Sequence, residues 1–317
     1  MQGTGYFTHA LCRQHDMGAG HPECPQRLDA IEDRLVLTGL GDHLMRRQAP
    51  EADRVDLLRA HDGLLLASVE ALSRQVADGL DAGGPKLLAI DPDTWVNQHT
   101  WHAALHAAGA AVAATDAVLT GELQNAFCAV RPPGHHACRS QAMGFCFINN
   151  VAVAALHALT QHGLERVAIV DFDVHHGNGT QDIVAADERI LMVGFFQHPL
   201  YPFSADEPAA GNLLNLPVPA YTRGPAIREL VQTHWLPRLH AFAPQLIVIS
   251  AGFDAHRDDE LGQLGLLEAD YAWITRQLRE VADRHAQGRI VSCLEGGYHL
   301  DALAHSVEAH LRVLADL

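Results

Sequence analysis

The sequence predicts a single α/β domain with a mainly parallel central sheet flanked by helices on both faces. Short, almost continuously apolar runs rich in β-branched residues alternate along the chain with longer segments of helical periodicity. Strand, helix and strand in regular order indicate parallel pairing with right-handed crossovers. The 317 residues, 48% of them apolar, suffice for one well-buried core, and no linker or repeat divides them. Residues 1–317 are therefore assigned to one domain.

Each predicted strand is an apolar run too short for a buried helix. These strands are 127–130, 167–171, 190–195, 246–250 and 290–294. The predicted helices are 25–38, 64–79, 98–120, 149–161, 225–241, 266–286 and 301–314. Open α/β sheets place their sites at the carboxyl ends of the strands, so the functional residues are expected in the loops that follow these strands.

Composition limits the class of partner and the compartment. With 22 Lys and Arg against 38 Asp and Glu, the net charge of −16 argues against direct nucleic-acid binding and favours a cationic partner. Residues 1–10 lack a secretory signal pattern, and no apolar stretch reaches the roughly 18 residues of a membrane span. The six cysteines have neither zinc-finger spacing nor the density of a secreted scaffold. We expect a soluble, cytoplasmic protein; a homo-oligomer remains open.

Acidic and histidine residues follow the strand at 167–171. Asp171, Asp173 and His175 are spaced at i, i+2, so Asp173 and His175 can face one side of an extended backbone and bind one cation. A polar loop without a ligand is the simpler interpretation. However, ionisable groups at a buried strand end are costly unless they are paired or bound to a metal. The segment therefore predicts a metal site.

A second strand end supplies a further carboxylate. Asp254 follows the strand at 246–250 and the small residues Ala251 and Gly252. Alone it would more often be a helix cap or a loop carboxylate, but beside Asp173 and His175 it completes a set of three ligands. Three protein ligands with an open position are typical of a catalytic metal. Carboxylate and imidazole fit Zn²⁺, with Fe²⁺, Co²⁺ and Mn²⁺ as alternatives.

Two further strand ends carry candidate catalytic groups. His135 and His136 follow the strand at 127–130, and neighbours in an extended segment point to opposite sides, so their roles should differ. Tyr298, on a Gly-Gly loop after the strand at 290–294, could reach a developing oxyanion. The simpler interpretations are a loop with two exposed histidines and an aromatic side chain packed at a helix start.

Taken together, these motifs resemble the histone deacetylase family, which has the arginase/deacetylase fold. They occur in the family's order, as HPECPQR (21–27), RPPGHH (131–136), GFCFINN (144–150), DFDVHHGNG (171–179), SAGFD (250–254) and EGGY (295–298). Asn178 stands where the first class of these enzymes has Asp. The sequence is therefore more similar to the class II and bacterial histone deacetylase-like amidohydrolases.

The resemblance implies a zinc amidohydrolase that removes acetyl or other acyl groups from lysine, with Zn²⁺ bound by Asp173, His175 and Asp254. Tyr298 would then donate a hydrogen bond to the oxyanion.

The resemblance also pairs His135 with Asp171 and His136 with Asn178. A carboxylate partner keeps an imidazole cationic more readily than an amide does, which leaves His136 freer to act as the general base.

The substrate pocket is implied in the same way. Phe145 and Tyr201 correspond to the aromatic walls of the acyl-lysine tunnel, although Tyr201 replaces the usual Phe. Gly144 would accept a hydrogen bond from the substrate amide, and Gly297 would let the Tyr298 loop move.

Leu261 matches the apolar gatekeeper of lysine deacetylases. The polyamine-selective member of the family has Glu at this position, and Glu260 is adjacent in this chain. A shift of one residue in the alignment would change this assignment.

A structural K⁺ is also implied, bound by backbone carbonyls of Asp171, Asp173 and His175. Relatives add a Ser or Thr hydroxyl, but this chain has Gly194 there and Phe196 in place of a His. The departure removes that hydroxyl ligand, for which water can substitute.

Three alternatives remain at this point. An acetylpolyamine amidohydrolase would use the same chemistry, whereas a non-catalytic acyl-lysine binding module would be expected to lack one of the catalytic groups. An arginase-like manganese enzyme would need further carboxylates.

His99, His102 and His106 have helical spacing without a carboxylate, which favours an amphipathic helix face. Asp93 is either a rim carboxylate or part of a turn.

Overall fold

An eight-stranded parallel sheet forms the centre of the computed structural model, which describes residues 3–81, 83–204 and 211–317. Its strands are β1 (Thr4–Thr8), β2 (Leu44–Gln48), β5 (Asn125–Cys128), β6 (Val167–Asp171), β7 (Ile190–Gln197), β8 (Leu213–Val218), β9 (Leu246–Ala251) and β10 (Ile290–Leu294). Their order is β2-β1-β5-β10-β9-β6-β7-β8. A separate antiparallel pair consists of β3 (Leu88–Ala89) and β4 (Trp95–Val96). The prediction of a mainly parallel sheet is confirmed.

Helices flank the sheet. They are α1 (Gln26–Thr38), α2 (Arg54–Ala60), α3 (Gly63–Leu80), α4 (Thr100–Leu119), α5 (Asn150–Gln161), α6 (Asn178–Val184), α7 (Gly224–Leu230), α8 (Leu236–Phe242), α9 (Glu268–His285) and α10 (Leu300–Leu314). One helical layer contains α4 and α5, which pack on each other and on the sheet; α1, α9 and α10 pack together in the other. None of the helices in the described ranges has the length and apolar character needed to cross a bilayer.

The five predicted strands are confirmed to within two residues at their ends. The sequence reasoning missed β1, β2 and β8. These strands lie at or next to the sheet edges. β2 exposes four of its five residues, and β8 is interrupted by Asn215 and Pro217, so neither has a continuous apolar run. The single predicted helix at 225–241 is also wrong in detail. A π-helical turn at Val231–Trp235 separates α7 from α8, because Pro237 cannot donate the backbone hydrogen bond of a regular helix.

The sheet order determines where the site lies. The four strands β5, β10, β9 and β6 are neighbours, and they run parallel. Their carboxyl ends therefore lie side by side at one edge of the sheet, although their sequences are far apart. All residues of these strands are buried, which fixes the chain direction at the point where each loop begins.

Candidate metal centre

Asp173, His175 and Asp254 converge at the carboxyl ends of β6 and β9. One potential ligand atom from each lies within 4.8 Å of the others. Nδ1 of His175 is 3.0 Å from Oδ1 of Asp173 and 3.1 Å from Oδ2 of Asp254. Both carboxylates are fully buried, and the imidazole is nearly so. Two oxygens and one nitrogen thus face a common point, as a three-ligand metal site requires.

Backbone groups hold the two carboxylates in position. The N–H of Gly296 donates to Oδ2 of Asp173 at 2.9 Å, and the N–H of Val174 donates to Oδ1 of Asp254 at 2.9 Å. A Cβ at Gly252 would overlap the Asp173 carboxylate, and one at Gly296 would overlap that of Asp254. The neighbouring loops can approach this closely only because both residues are glycines.

The electrostatics of the cluster fit a divalent cation. Burial and the adjacent charge of Asp173 raise the pKa of Asp254 to about 7. Burial opposes protonation of His175, but its hydrogen bonds to Asp173 and Asp254 raise its pKa to about 10. The two buried carboxylates therefore attract positive charge strongly. A cation bound by both carboxylates and by Nδ1 would supply that charge, so the donor set fits the metal predicted from the sequence.

His135 and His136 lie beside the cluster in different environments. Nδ1 of His135 is 3.0 Å from Oδ2 of Asp171, whereas Nδ1 of His136 is 2.7 Å from Oδ1 of Asn178. Burial alone would lower the pKa of His135, but the charges of Asp173 and Asp171 raise it well above its usual value.

The pKa of His136 is shifted in the opposite direction. Burial and the positive charges of His135 and His175 lower the pKa of His136 well below its usual value. The adjacent rings thus favour different protonation states, one cationic and one neutral. Because the amide oxygen of Asn178 accepts at Nδ1, the free electron pair of a neutral His136 lies on Nε2.

A cavity of about 210 Å³ opens onto these residues. It is lined by Asp93, His136, Gly144, Phe145, His175, Leu200, Tyr201, Leu261 and Tyr298. The structure thus brings six of the sequence-predicted site residues to the cavity together with the predicted metal ligand His175, whereas Gly297 does not line it. Phe145 packs edge-on against Tyr298, with ring centroids 5.9 Å apart, and Tyr201 packs edge-on against His136 at 5.1 Å.

The backbone at the cavity wall is tightly constrained. Gly144 and Phe145 both have positive φ, and a Cβ at Gly144 would lie 2.6 Å from the His136 ring. The hydroxyl oxygen of Thr94 accepts a 3.1 Å hydrogen bond from the N–H of Phe145. Glu260 is exposed and does not line the cavity, whereas its neighbour Leu261 does.

Histidines on α4 do not form a comparable site. Nδ1 of His106 donates to the backbone oxygen of Ala49 at 2.8 Å, while His102 pairs with Glu51 at 2.7 Å. Neither residue, nor His99, belongs to the groups of potential metal ligands found in the described part of the chain.

Comparisons with known proteins decide the family. The family described as "Histone deacetylase domain" matches residues 21–314. The chain belongs to the histone deacetylase family. The resemblance stated from the motifs is therefore confirmed, as is the expected arginase/deacetylase fold.

Relatives of this deacetylase-family chain include bacterial and human proteins. The "Histone deacetylase-like amidohydrolase" of Pseudomonas aeruginosa is 39% identical over 319 residues, covering 93% of this chain and 81% of the relative. The human "Polyamine deacetylase HDAC10" is 38% identical over 319 residues, covering 94% of this chain but 46% of that protein. The crystal structure of the HDA15 HD domain superimposes with a TM-score of 0.91 at 33% identity, covering 99% of this chain and 88% of that one.

The sequence reasoning missed a buried charged network beneath the deacetylase-family site. Arg27 lies under the Tyr298 ring, with its guanidinium carbon 5.0 Å from the ring centroid, and donates to the backbone oxygens of Gly297 and Glu295. Glu23 pairs with both Arg27 and Arg131, and all three are fully buried. The signal was present in the sequence, since charged residues in HPECPQR and RPPGHH lie beside predicted functional loops.

Asp259 was also missed. Its Oδ2 accepts hydrogen bonds from the N–H groups of Tyr298 (2.6 Å) and His299 (3.1 Å), and its Oδ1 accepts one from Leu261 (3.0 Å). One buried carboxylate therefore connects the Tyr298 loop to the backbone of Leu261, which also lines the cavity. Nothing in the local sequence distinguishes Asp259 from its neighbour Asp258, which is exposed.

Proposed function

We propose that this chain is a zinc-dependent amidohydrolase that removes acetyl or other acyl groups from the ε-amine of lysine in peptides or proteins. Its membership of the deacetylase family supports hydrolase activity. The observation that carries the finer proposal is the pairing of a buried Asp/His/Asp cluster with two histidines of opposite protonation preference at one cavity. That combination suits water activation and proton transfer at an acyl carbonyl.

Asp173, His175 and Asp254 would hold the zinc ion. When bound, zinc would polarise the acyl carbonyl and lower the pKa of water at the site toward about 7. The chain's own groups would do the remaining work. Neutral His136 would accept a proton from water through Nε2, while Asn178 holds the ring by its other nitrogen.

His135 and Tyr298 would stabilise developing negative charge. His135, kept cationic by Asp171 and Asp173, would act electrostatically. The Tyr298 hydroxyl would donate to the oxyanion, a contribution commonly worth ~3 kcal/mol. The protonated His136 would then return its proton to the leaving amine, which completes amide hydrolysis.

The walls of the cavity would select the substrate. Phe145 and Tyr201 would contact the hydrocarbon chain of lysine, and the Gly144 carbonyl would accept a hydrogen bond from the amide N–H. Leu261 favours acyl-lysine over an acetylpolyamine, because an apolar side chain offers no partner for a second ammonium group. The polyamine alternative is supported by the similarity to HDAC10 and by the carboxylate of Asp93 at the cavity.

A kcat/KM panel tests the choice of substrate. We expect an acetyl-lysine peptide to exceed N8-acetylspermidine and acetylputrescine in the wild-type protein. Leu261→Glu should shift the ratio toward the polyamines by at least about tenfold, while Glu260→Gln, a change at the exposed neighbour, should leave it unchanged. A wild-type preference for acetylpolyamine would overturn the lysine assignment, and no turnover of any acyl amine would instead favour the non-catalytic binding module.

We also propose that the predicted K⁺ site is kept, with the side-chain oxygen of Asn215 replacing the missing hydroxyl. Gly194 lies between Asp171 on β6 and Asn215 on β8, its partners in register. A Cβ at Gly194 would lie 3.0 Å from Oδ1 of Asn215 and 3.3 Å from the backbone oxygen of Asp171. That Oδ1 is buried and has no hydrogen-bond partner among the described residues, so it is available to a cation beside the carbonyls of Asp171, Asp173 and His175.

The potassium proposal has a readout independent of activity. Replacing Na⁺ by K⁺ at constant ionic strength should raise the Tm of the wild-type protein, because a ligand of the folded state stabilises it. Asn215→Ala should reduce that K⁺-specific increase. An equal Tm in the two salts would contradict the proposal. The cytoplasmic location and a homo-oligomeric state remain predictions.

A further inference from the structure

A second cluster of metal-ligand side chains lies outside the candidate active site. Nε2 of His157 and Nε2 of His162 are each 2.7 Å from the same oxygen, Oδ1 of Asp116. All three ligand atoms lie within 4.8 Å of one another. The His157 side chain is 8% exposed, His162 21% and Asp116 49%, so the cluster opens to solvent on one side.

The cluster lies where three helices meet. Asp116 is near the end of α4, His157 is in the second half of α5, and His162 directly follows α5. α5 begins against the loop that carries His135 and His136, since Nδ2 of Asn150 donates to the backbone oxygen of Pro132. With about 1.5 Å of rise per residue, the twelve residues of α5 span roughly 18 Å, so His162 lies about that far along the helix axis from Asn150.

A fourth residue, Asp56, holds the His157 ring in the way that carboxylates commonly hold metal-binding histidines. Nδ1 of His157 is 2.8 Å from Oδ1 of Asp56 on α2, while Nε2 faces the cluster. In metal sites, a carboxylate that accepts from one imidazole nitrogen fixes the ring and leaves the other nitrogen to the ion. Arg59, the charged neighbour, pairs with Asp56 and lies 3.3 Å from Nδ1, on the side away from Nε2.

We propose that Asp116, His157 and His162 form a second site for a divalent transition-metal ion, with water completing the coordination. Two imidazole nitrogens and one carboxylate oxygen suit Zn²⁺, and also Co²⁺, Ni²⁺ and Cu²⁺, rather than Mg²⁺ or Ca²⁺. The ion would tie α4 to the end of α5 and would take no part in acyl-amide hydrolysis. The site does not depend on the proposed function of the first cluster.

The number of bound zinc ions tests this proposal directly. We would dialyse the full chain to equilibrium against buffered free Zn²⁺ in the micromolar range and measure bound zinc by mass spectrometry. Wild type should bind two equivalents, and His162→Ala and Asp116→Asn should each bind one. Asp173→Ala should also bind one, held at the second site, and Asp173→Ala with His162→Ala should bind none. His305→Ala removes a half-buried histidine from another helix and should still bind two.

The variants also separate the two sites. His162→Ala and Asp116→Asn should keep their circular dichroism spectrum and a deacylation rate within about twofold of wild type. A His162→Ala protein that binds as much zinc as wild type would overturn the proposal, as would an Asp173→Ala protein that binds none. If Asp173→Ala kept both equivalents, the metal assignment at the first cluster would fail while the second stood.

Discussion

The two Asp/His clusters of this chain use the same ligand types but are built differently. In the first, backbone N–H groups of Val174 and Gly296 fix the carboxylates, and every donor is at or near full burial. In the second, Asp116 is half exposed, and the side chain of Asp56 orients the buried imidazole of His157. The ends of adjacent parallel strands thus provide a rigid, enclosed site, whereas packed helices provide an open one.

The difference has a chemical consequence. Electrostatic interactions are stronger in a buried site, and groups held by backbone hydrogen bonds need little reorganisation during a reaction. The buried cluster also adjoins His136 and the cavity, so a bound acyl group could contact it. No residue of the open cluster lines that cavity. Matched substitutions in the two clusters should therefore have very different effects on catalysis.

The largest effect is expected from the ligands of the buried cluster. Asp173→Ala or Asp254→Ala should remove zinc from this site and lower kcat/KM by at least about 10³, because nothing nearby replaces the lost charged donor. Asp116→Ala is the matched carboxylate change in the open cluster and should leave kcat/KM within about twofold. Activity assays and zinc analysis on the three variants check this, and normal turnover by Asp173→Ala with full zinc would refute the buried site.

The next effect distinguishes the two histidines of the buried site. His136→Ala should lower kcat by about 10³–10⁴ with zinc retained, because the neutral imidazole is the proposed proton acceptor. His135→Ala should have a smaller effect, since its proposed role is electrostatic. Steady-state kinetics with zinc analysis on both variants provide the measurement. If the His135 variant were the slower of the two, the general base would have to be reassigned.

Tyr298→Phe is expected to have a smaller effect again. The change keeps the ring over Arg27 but removes the oxyanion donor, so kcat should fall by about 10²–10³ without loss of zinc or folding. The kcat for trifluoroacetyl-lysine should fall by a smaller factor than the kcat for acetyl-lysine, because its more electrophilic carbonyl depends less on the oxyanion donor. Equal losses on the two substrates would indicate that Tyr298 positions the substrate instead.

Sequence reasoning predicted the buried cluster but not the open one, for a physical reason. Asp173 and His175 follow a recognisable buried strand at i, i+2 spacing, and parallel pairing brings Asp254 beside them once the sheet is assumed. Asp116 and His157 belong to different helices, and neither helix pattern specifies which faces meet. Their contact depends on packing between α4 and α5, which local periodicity does not encode.

The same reasoning explains the elements that were missed. Continuous apolar runs predict the buried strands, but β2 has the sequence LMRRQ, with four of its five residues exposed. The network of Glu23, Arg27 and Arg131 was missed because buried ion pairs are recognised by their partners, and these residues are up to 108 positions apart in the chain. The role of Asp259 likewise depends on a long-range contact, 39 positions from Tyr298.

Asp259 offers the finest test of how rigid the buried site must be. Asp259→Asn keeps the size of the side chain, but one of its two acceptor atoms becomes an amide donor, so it cannot accept from Leu261 and from the Tyr298 loop together. Because Asp259 itself does not line the cavity, we expect kcat to fall by about tenfold through misplacement of the Tyr298 hydroxyl, with KM also altered through Leu261.

The exposed neighbour supplies the control for that test. Asp258→Asn changes the same chemical group one residue away, where the side chain is half exposed and pairs with Arg257 at the surface, so kcat and KM should be unchanged. The Tyr298→Phe background separates positioning from a general loss of stability. If Asp259 acts by placing the Tyr298 hydroxyl, adding Asp259→Asn to Tyr298→Phe should lower kcat by much less than tenfold, because the group being placed is already absent. A full tenfold loss in both backgrounds would show that Asp259 supports the site by some other contact, and that the buried cluster depends on the Tyr298 loop less than its hydrogen bonds indicate.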